Sequence, residues 1–164
     1  MKIQHYAAAL LLTGTLLSVK ITRAQETGLA GSWVLQQKTN LSGVDYRNTV
    51  DDSLTVLKTG NRWVLTRSNM GTTNRDTLPE GPGPAASTTK DNRRRIAKVT
   101  WQGDQAFTEE RSYSAPGDSG KNAHTIRDEY SLSADGRTLT VTRYFENAQD
   151  ANDKWSAKGE YTRK

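Results

Sequence analysis

Residues able to do chemistry are sparse in this chain. Histidine occurs twice, at His5 and His124, and cysteine not at all. Without cysteine there is no thiolate nucleophile, no thiolate metal site and no disulfide. One histidine beyond the first segment leaves a zinc site short of ligands. Asp118, Ser119 and His124 are near one another in sequence, but a triad is defined by geometry rather than by nearness. Glu109-Glu110 and Asp128-Glu129 are adjacent carboxylates, and adjacent residues on a strand point to opposite faces. Asp51-Asp52, Asp150 and Asp153 lack the spacing of a calcium loop. No glycine-rich phosphate cradle follows a strand. Arg93-Arg94-Arg95 reads as a solvated loop end. The expectation is therefore a protein that is not an enzyme, with no catalytic residue, no metal and no cofactor.

One charged pair has a more specific placement. Residues 124–132 and 138–146 alternate in strand fashion around Ala134-Asp135-Gly136-Arg137, a turn whose glycine supplies a positive φ. Pairing Ser133 with Thr138 puts Leu132 opposite Leu139, Tyr130 opposite Val141 and Ile126 opposite Phe145. A slip of one residue would set Ser131 against Leu139, so the apolar pattern selects the first register. That register also brings Asp128 and Arg143 together on the apolar face. Such a pair is either a partly buried cross-strand ion pair or a polar anchor for a ligand inside a cavity. Glu109 and Arg111 share a face with Phe107 and Tyr113 and repeat the pattern.

The elements that would position these residues are strands. Period two runs through 32–38, 53–58, 62–67, 95–101, 105–113 and 154–162 in addition to the hairpin, and Thr, Val, Trp and Tyr fill the runs. Residues 75–78 add part of a further strand. Arg67 is placed at a strand end, in solvent. Beyond the first segment there is no helical stripe, and 147–153 reads as a polar loop. Short turns between such runs predict an all-β fold: a single antiparallel up-and-down barrel of about eight strands, closed so that no edge is left open. The stretch from Thr77 to Lys90 holds Pro79, Pro82 and Pro84 with Gly81 and Gly83, and is expected to lack regular structure.

The start of the chain carries an address rather than a fold. Lys2 precedes the apolar run Ala7–Leu17, which is too short to cross a bilayer as a helix. Thr22-Arg23-Ala24 offers small residues at the two positions before a cut, so 1–24 is expected to be a signal peptide cleaved after Ala24, leaving 25–164 as one domain. That segment holds Lys2, Lys20 and Arg23, three of the 23 basic residues, and none of the 18 acidic ones. The formal charge of +5 thus falls to 20 against 18, or +2. A concentrated basic surface is missing, so no nucleic-acid partner is expected. Nor is a membrane association after cleavage, and the expected location is periplasmic or secreted.

Gly31-Ser32-Trp33 at the head of the first strand resembles the Gly-x-Trp opening of lipocalin-like barrels. Residues 133–142, Asn147-Ala148-Gln149 and Glu160-Tyr161 are similar to the C-terminal half of small exported bacterial lipocalin-like proteins. The likeness covers the ends of the 25–164 domain and is weak from 40 to 98. It implies a calycin barrel in which Trp33 closes one end under a late-strand arginine, Arg163 or else Arg143, and a calyx for a small apolar ligand. Trp33, Trp63, Trp101, Phe107, Tyr130 and Trp155, with Asp128 and Arg143, are the candidate lining. The alternative is an envelope interaction or structural module with a filled interior, working through the Pro/Gly stretch or through aromatics such as Tyr46 and Tyr113.

Overall fold

The computed structural model describes residues 28–47, 49–79 and 83–164. The expected signal peptide lies outside them, as do Gly81 and Pro82. The described chain is all strand and turn: β1 (Gly31–Ser42), β2 (Ser53–Thr59), β3 (Arg62–Asn69), β4 (Thr72–Leu78), β5 (Ala85–Thr88), β6 (Arg94–Gln102), β7 (Ala106–Ala115), β8 (Asp118–Leu132), β9 (Thr138–Asn147) and β10 (Asp150–Arg163). They form one antiparallel sheet in the order β4-β3-β2-β1-β10-β9-β8-β7-β6-β5. Neighbours are consecutive in sequence except at β1 and β10, where the two ends of the chain pair and curl the sheet into a barrel shape.

Ten strands replace the expected eight or so, and the differences have one cause. Strand β4 is mostly exposed and strongly polar, and the four residues of β5 are all exposed. An edge strand with both faces in water has little alternation to display, so the sequence announces only 75–78 of β4 and nothing of β5. The expectation of irregular structure throughout 77–90 is corrected on the same ground: the prolines stop at Pro84, and Ala85–Thr88 is free to pair with β6. Strand β8 likewise begins at Asp118 rather than His124. Pro116-Gly117 makes a two-residue turn, with Gly117 at φ 73°, and the polar residues beyond it continue the strand. The polar stretch 147–153 also belongs mostly to strands, with β9 ending at Asn147 and β10 starting at Asp150.

Full closure is corrected too. Strands β4 and β5 are the two edges, and among the described residues no backbone ladder joins them. What spans the seam is side chains: Trp63 of β3 lies 4.8 Å from Trp101 of β6, and Arg95 of β6 reaches Asp76 of β4.

The β8–β9 hairpin has the register the apolar pattern demands. Leu132 pairs with Leu139, Tyr130 with Val141, Asp128 with Arg143 and Ile126 with Phe145. Its turn is held by Ser133, whose carbonyl accepts the Gly136 N–H at 2.8 Å and whose hydroxyl accepts the Thr138 N–H at 2.9 Å.

The apolar core fills one end of the barrel. Trp33, Leu54, Leu65, Phe107, Leu139 and Tyr161 are among its fully buried members. Trp33 donates its indole N–H to the Leu29 carbonyl at 3.1 Å. The Arg163 guanidinium lies 4.4 Å over the Trp33 ring and donates to the carbonyls of Ala30 and Gly28. This is the end-closing arrangement expected of Trp33 and Arg163. The connection 43–52 turns inward, so that Thr49, Val50 and Asp51 are buried, and Tyr161 Oη donates to the Asp51 carbonyl at 2.9 Å.

Candidate ligand-binding site

Period two sends every second residue of a strand into the barrel. In β3 that row is Trp63, Leu65, Arg67; in β6, Arg95, Ala97, Val99, Trp101; in β7, Phe107, Glu109, Arg111, Tyr113; in β8, Ile126, Asp128, Tyr130. Each row passes from apolar at the closed end to charged in the middle. Adjacent rows therefore stack their charges in one layer above the core.

That layer holds four arginines and four carboxylates. Glu109 is completely buried and accepts from Arg67 and, at 3.2 Å, from Arg95. Asp76 accepts from Arg67 at 2.6 Å and Arg95 at 2.9 Å. Asp128, also completely buried, accepts Arg143 Nε at 2.6 Å and Nη2 at 2.9 Å, and a third bond from Arg111. Arg143 continues to Asp51 at 2.8 Å. Tyr130 joins the two halves, accepting from Arg67 at 3.3 Å and donating to Asp128 at 3.4 Å.

Burial alone would raise the Asp128 carboxyl, but Arg143 and Arg111 outweigh it and hold the group far below the usual carboxylate range. For Arg67 burial works against the charge, and Tyr130 and Glu109 more than offset it, so the guanidinium is held more firmly charged than usual. Burial likewise opposes the Arg143 charge, and Asp128 overcomes it. Tyr130 is pushed well above the ordinary phenol value, chiefly by burial.

Beyond the layer lies a half-open cavity of about 740 Å³. Arg67, Arg95, Arg111 and Arg143 are in its wall, as are Asp51 and Asp76. Arg75, Lys90 and Asp91 also line it, and Ala97, Tyr113 and Ile126 supply apolar surface. Two guanidinium N–H groups at this wall, Arg95 Nε and Arg111 Nε, are buried without a hydrogen-bond acceptor among the described residues. Arg111 Nε is 3.7 Å from Glu109 Oε2, close enough for charge attraction but not for a hydrogen bond.

Of the eight residues expected as lining, Arg143 is in the cavity wall. Trp33, Phe107 and Tyr130 are in the packed core, with Trp63 and Trp101 against it. Phe107 stacks on Tyr130 at 4.2 Å, and the Trp101 ring lies tilted against Phe107 at 4.8 Å. Trp155 belongs to a second row, stacked on Phe145 at 5.3 Å, followed by His124 at 5.6 Å and Tyr113 at 4.7 Å, with Tyr46 edge-on to Trp155. Asp128 lies beneath the cavity, holding two of its arginines.

Arg67 is corrected: it is 4% exposed and central, not a solvated strand end. Its signal was present, since it follows Leu65 by two residues and Trp63 by four. The Arg93-Arg94-Arg95 run is corrected in part. Arg94 is exposed, whereas Arg95 turns inward in step with Ala97 and Val99. Asp76 and Asp51 were not singled out as site residues, one being on a largely polar edge strand and the other in a loop.

No family model matches the sequence, and no curated protein does. Similar solved structures exist. A secretary abundant heat soluble protein from Ramazzottius varieornatus superposes with a TM-score of 0.56 at 16% identity, over 82% of this chain and 94% of that one. A Schistosoma mansoni fatty acid binding protein in complex with arachidonic acid gives 0.54 at 16% identity, over 84% and 97%. Lipid binding protein 8 of Caenorhabditis elegans gives 0.52 at 12% identity, over 82% and 94%. At these identities the likeness is one of fold alone: an antiparallel sheet curled into a barrel shape.

Proposed function

We propose that this protein is an exported binding barrel for a small amphipathic ligand with an anionic group, and that it catalyses no reaction. The observation that carries this reading is the excess of cations in the wall of the 740 Å³ cavity, Arg67, Arg75, Lys90, Arg95, Arg111 and Arg143 against Asp51, Asp76 and Asp91. Such a wall attracts a carboxylate or similar oxyanion, which can accept charge-assisted hydrogen bonds from its guanidinium groups. The volume is that of a small-molecule site. Tyr113, Ile126 and Ala97 in the same wall suit an apolar portion. Solved structures of like fold include a fatty acid binding protein with its fatty acid, which supports the reading at the level of ligand class. Export rests on the first 24 residues, with cleavage after Ala24 and release to the periplasm or medium.

Two measurements test it. Titration with 1-anilinonaphthalene-8-sulfonate should saturate, and decanoate should displace the dye while decanol does not. A dye that does not bind saturably, or that both compounds displace equally, would overturn the anionic part. Native mass spectrometry of the exported protein should give a mass beginning at Gln25, with an acid adduct removed by organic extraction. An intact N-terminus would overturn export with cleavage. The packed aromatics at the closed end favour a second reading, a filled barrel acting through its surface, and a protein that takes up no anion would point to it.

A further inference from the structure

We infer that Asp76 is an internal occupant of the anion site, a carboxylate that the ligand's own oxyanion must displace. The inference rests on the ligand reading above and adds the residue that sets its affinity. Asp76 places one oxygen 2.6 Å from Arg67 Nη1 and the other 2.9 Å from Arg95 Nη1. The two arginines come from β3 and β6, on opposite sides of the seam. A single two-oxygen group thus bridges two guanidinium groups in the cavity wall, as a bound carboxylate, sulfonate or phosphate would.

Asp76 also differs from Glu109 and Asp128 in its freedom to leave. Glu109 and Asp128 are completely buried between strands paired on both sides. The Asp76 side chain is 21% exposed, lies in the cavity wall and sits on β4, an edge strand with one paired neighbour. Swinging it outward costs no buried unpaired charge, because the carboxylate moves to water. The incoming oxyanion takes its two guanidinium partners, Arg67 and Arg95. Competition of this kind lowers apparent affinity by the fraction of molecules in which the site is free. Displacement also removes the Asp76–Arg95 tie that spans the seam between β4 and β6.

The test compares the native protein with Asp76→Asn and Asp104→Asn, titrating each with 1-anilinonaphthalene-8-sulfonate. Asp104 is an exposed turn residue outside the cavity wall, so it controls for loss of one negative charge. Asp76→Asn should bind about tenfold tighter, with Asp104→Asn within about twofold of native. Equal gains in both variants, or no gain in Asp76→Asn, would overturn the inference while leaving the ligand reading standing. No saturable binding by any of the three would remove the ligand reading and the inference with it. Should Asp76→Asn not fold, amide hydrogen exchange of the native protein decides. Saturating decanoate should speed exchange at 74–77, and unchanged or slowed exchange would overturn the displacement.

Discussion

Arg143 and Arg67 carry their charges into the barrel on strands whose other inward residues are apolar, so each depends on the carboxylate it meets. Truncating Arg143 leaves Asp128 with Arg111 and the Tyr130 hydroxyl, and truncating Arg67 leaves Glu109 hydrogen-bonded to Arg95 with Arg111 3.7 Å away. Removing one partner of a buried pair costs roughly 3–5 kcal/mol. We expect that range for Arg143→Ala and Arg67→Ala alike, read as a shift in urea midpoint. Arg94→Ala, at an exposed site, should change stability by less than about 0.5 kcal/mol. A small loss at Arg67 would mean that the layer is hydrated.

The same residues set an acid limit. The folded-state carboxyl of Asp128 is depressed relative to the unfolded chain. Its contribution is therefore full above the ordinary aspartate range, about pH 4, and is lost as pH falls through the folded value. The stability difference between native protein and Asp128→Asn should hold above about pH 5 and shrink steadily below about pH 4. A difference constant down to the acid transition would show that Asp128 is not ionised in the fold.

At the scale of elements, strand legibility follows burial. The β8–β9 hairpin could be registered residue by residue because one face is apolar and the turn residues are specific. Strands β4 and β5 could not, since each pairs on one side and turns most of its side chains to water. In β10 the small residue Gly159 is set by packing: a Cβ there would stand 2.7 Å from the Tyr161 ring. Gly159→Ala should therefore destabilise by roughly 1–3 kcal/mol through overpacking. Combining it with Tyr161→Leu should recover part of the loss if the clash is with the ring. No recovery would place the strain in the backbone.

At the scale of the whole molecule, the barrel has an apolar closed end, a charged middle layer and an open cavity. Tyr130 and Tyr161 lie at the boundary of the first two, and burial pushes both phenols well above their ordinary value. A raised folded value gives a contribution that is full below the unfolded value of about 10 and is lost as pH rises beyond it. Alkaline unfolding should accordingly begin above about pH 10, with both phenolates appearing only as the fold is lost. Phenolate absorbance that rises ahead of the loss of circular dichroism would show at least one of them to be accessible.

Sequence alone determined the all-β class and the facing of Asp128 with Arg143. Those follow from period-two alternation and turn chemistry, which act over a few residues, whereas the choice of Arg163 over Arg143 as the arginine across Trp33 was left to the fold. The sequence also contained the inward turn of Arg67 and Arg95, in their two-residue spacing from Leu65 and Ala97. Tertiary structure decided the rest. Whether the aromatics would line a cavity or fill a core depends on how rows from opposite walls meet, and they meet as stacked rings. The bridging position of Asp76 depends on two edge strands being brought face to face without pairing. No local pattern encodes a distance across a seam, because that distance is set by the curl of all ten strands together.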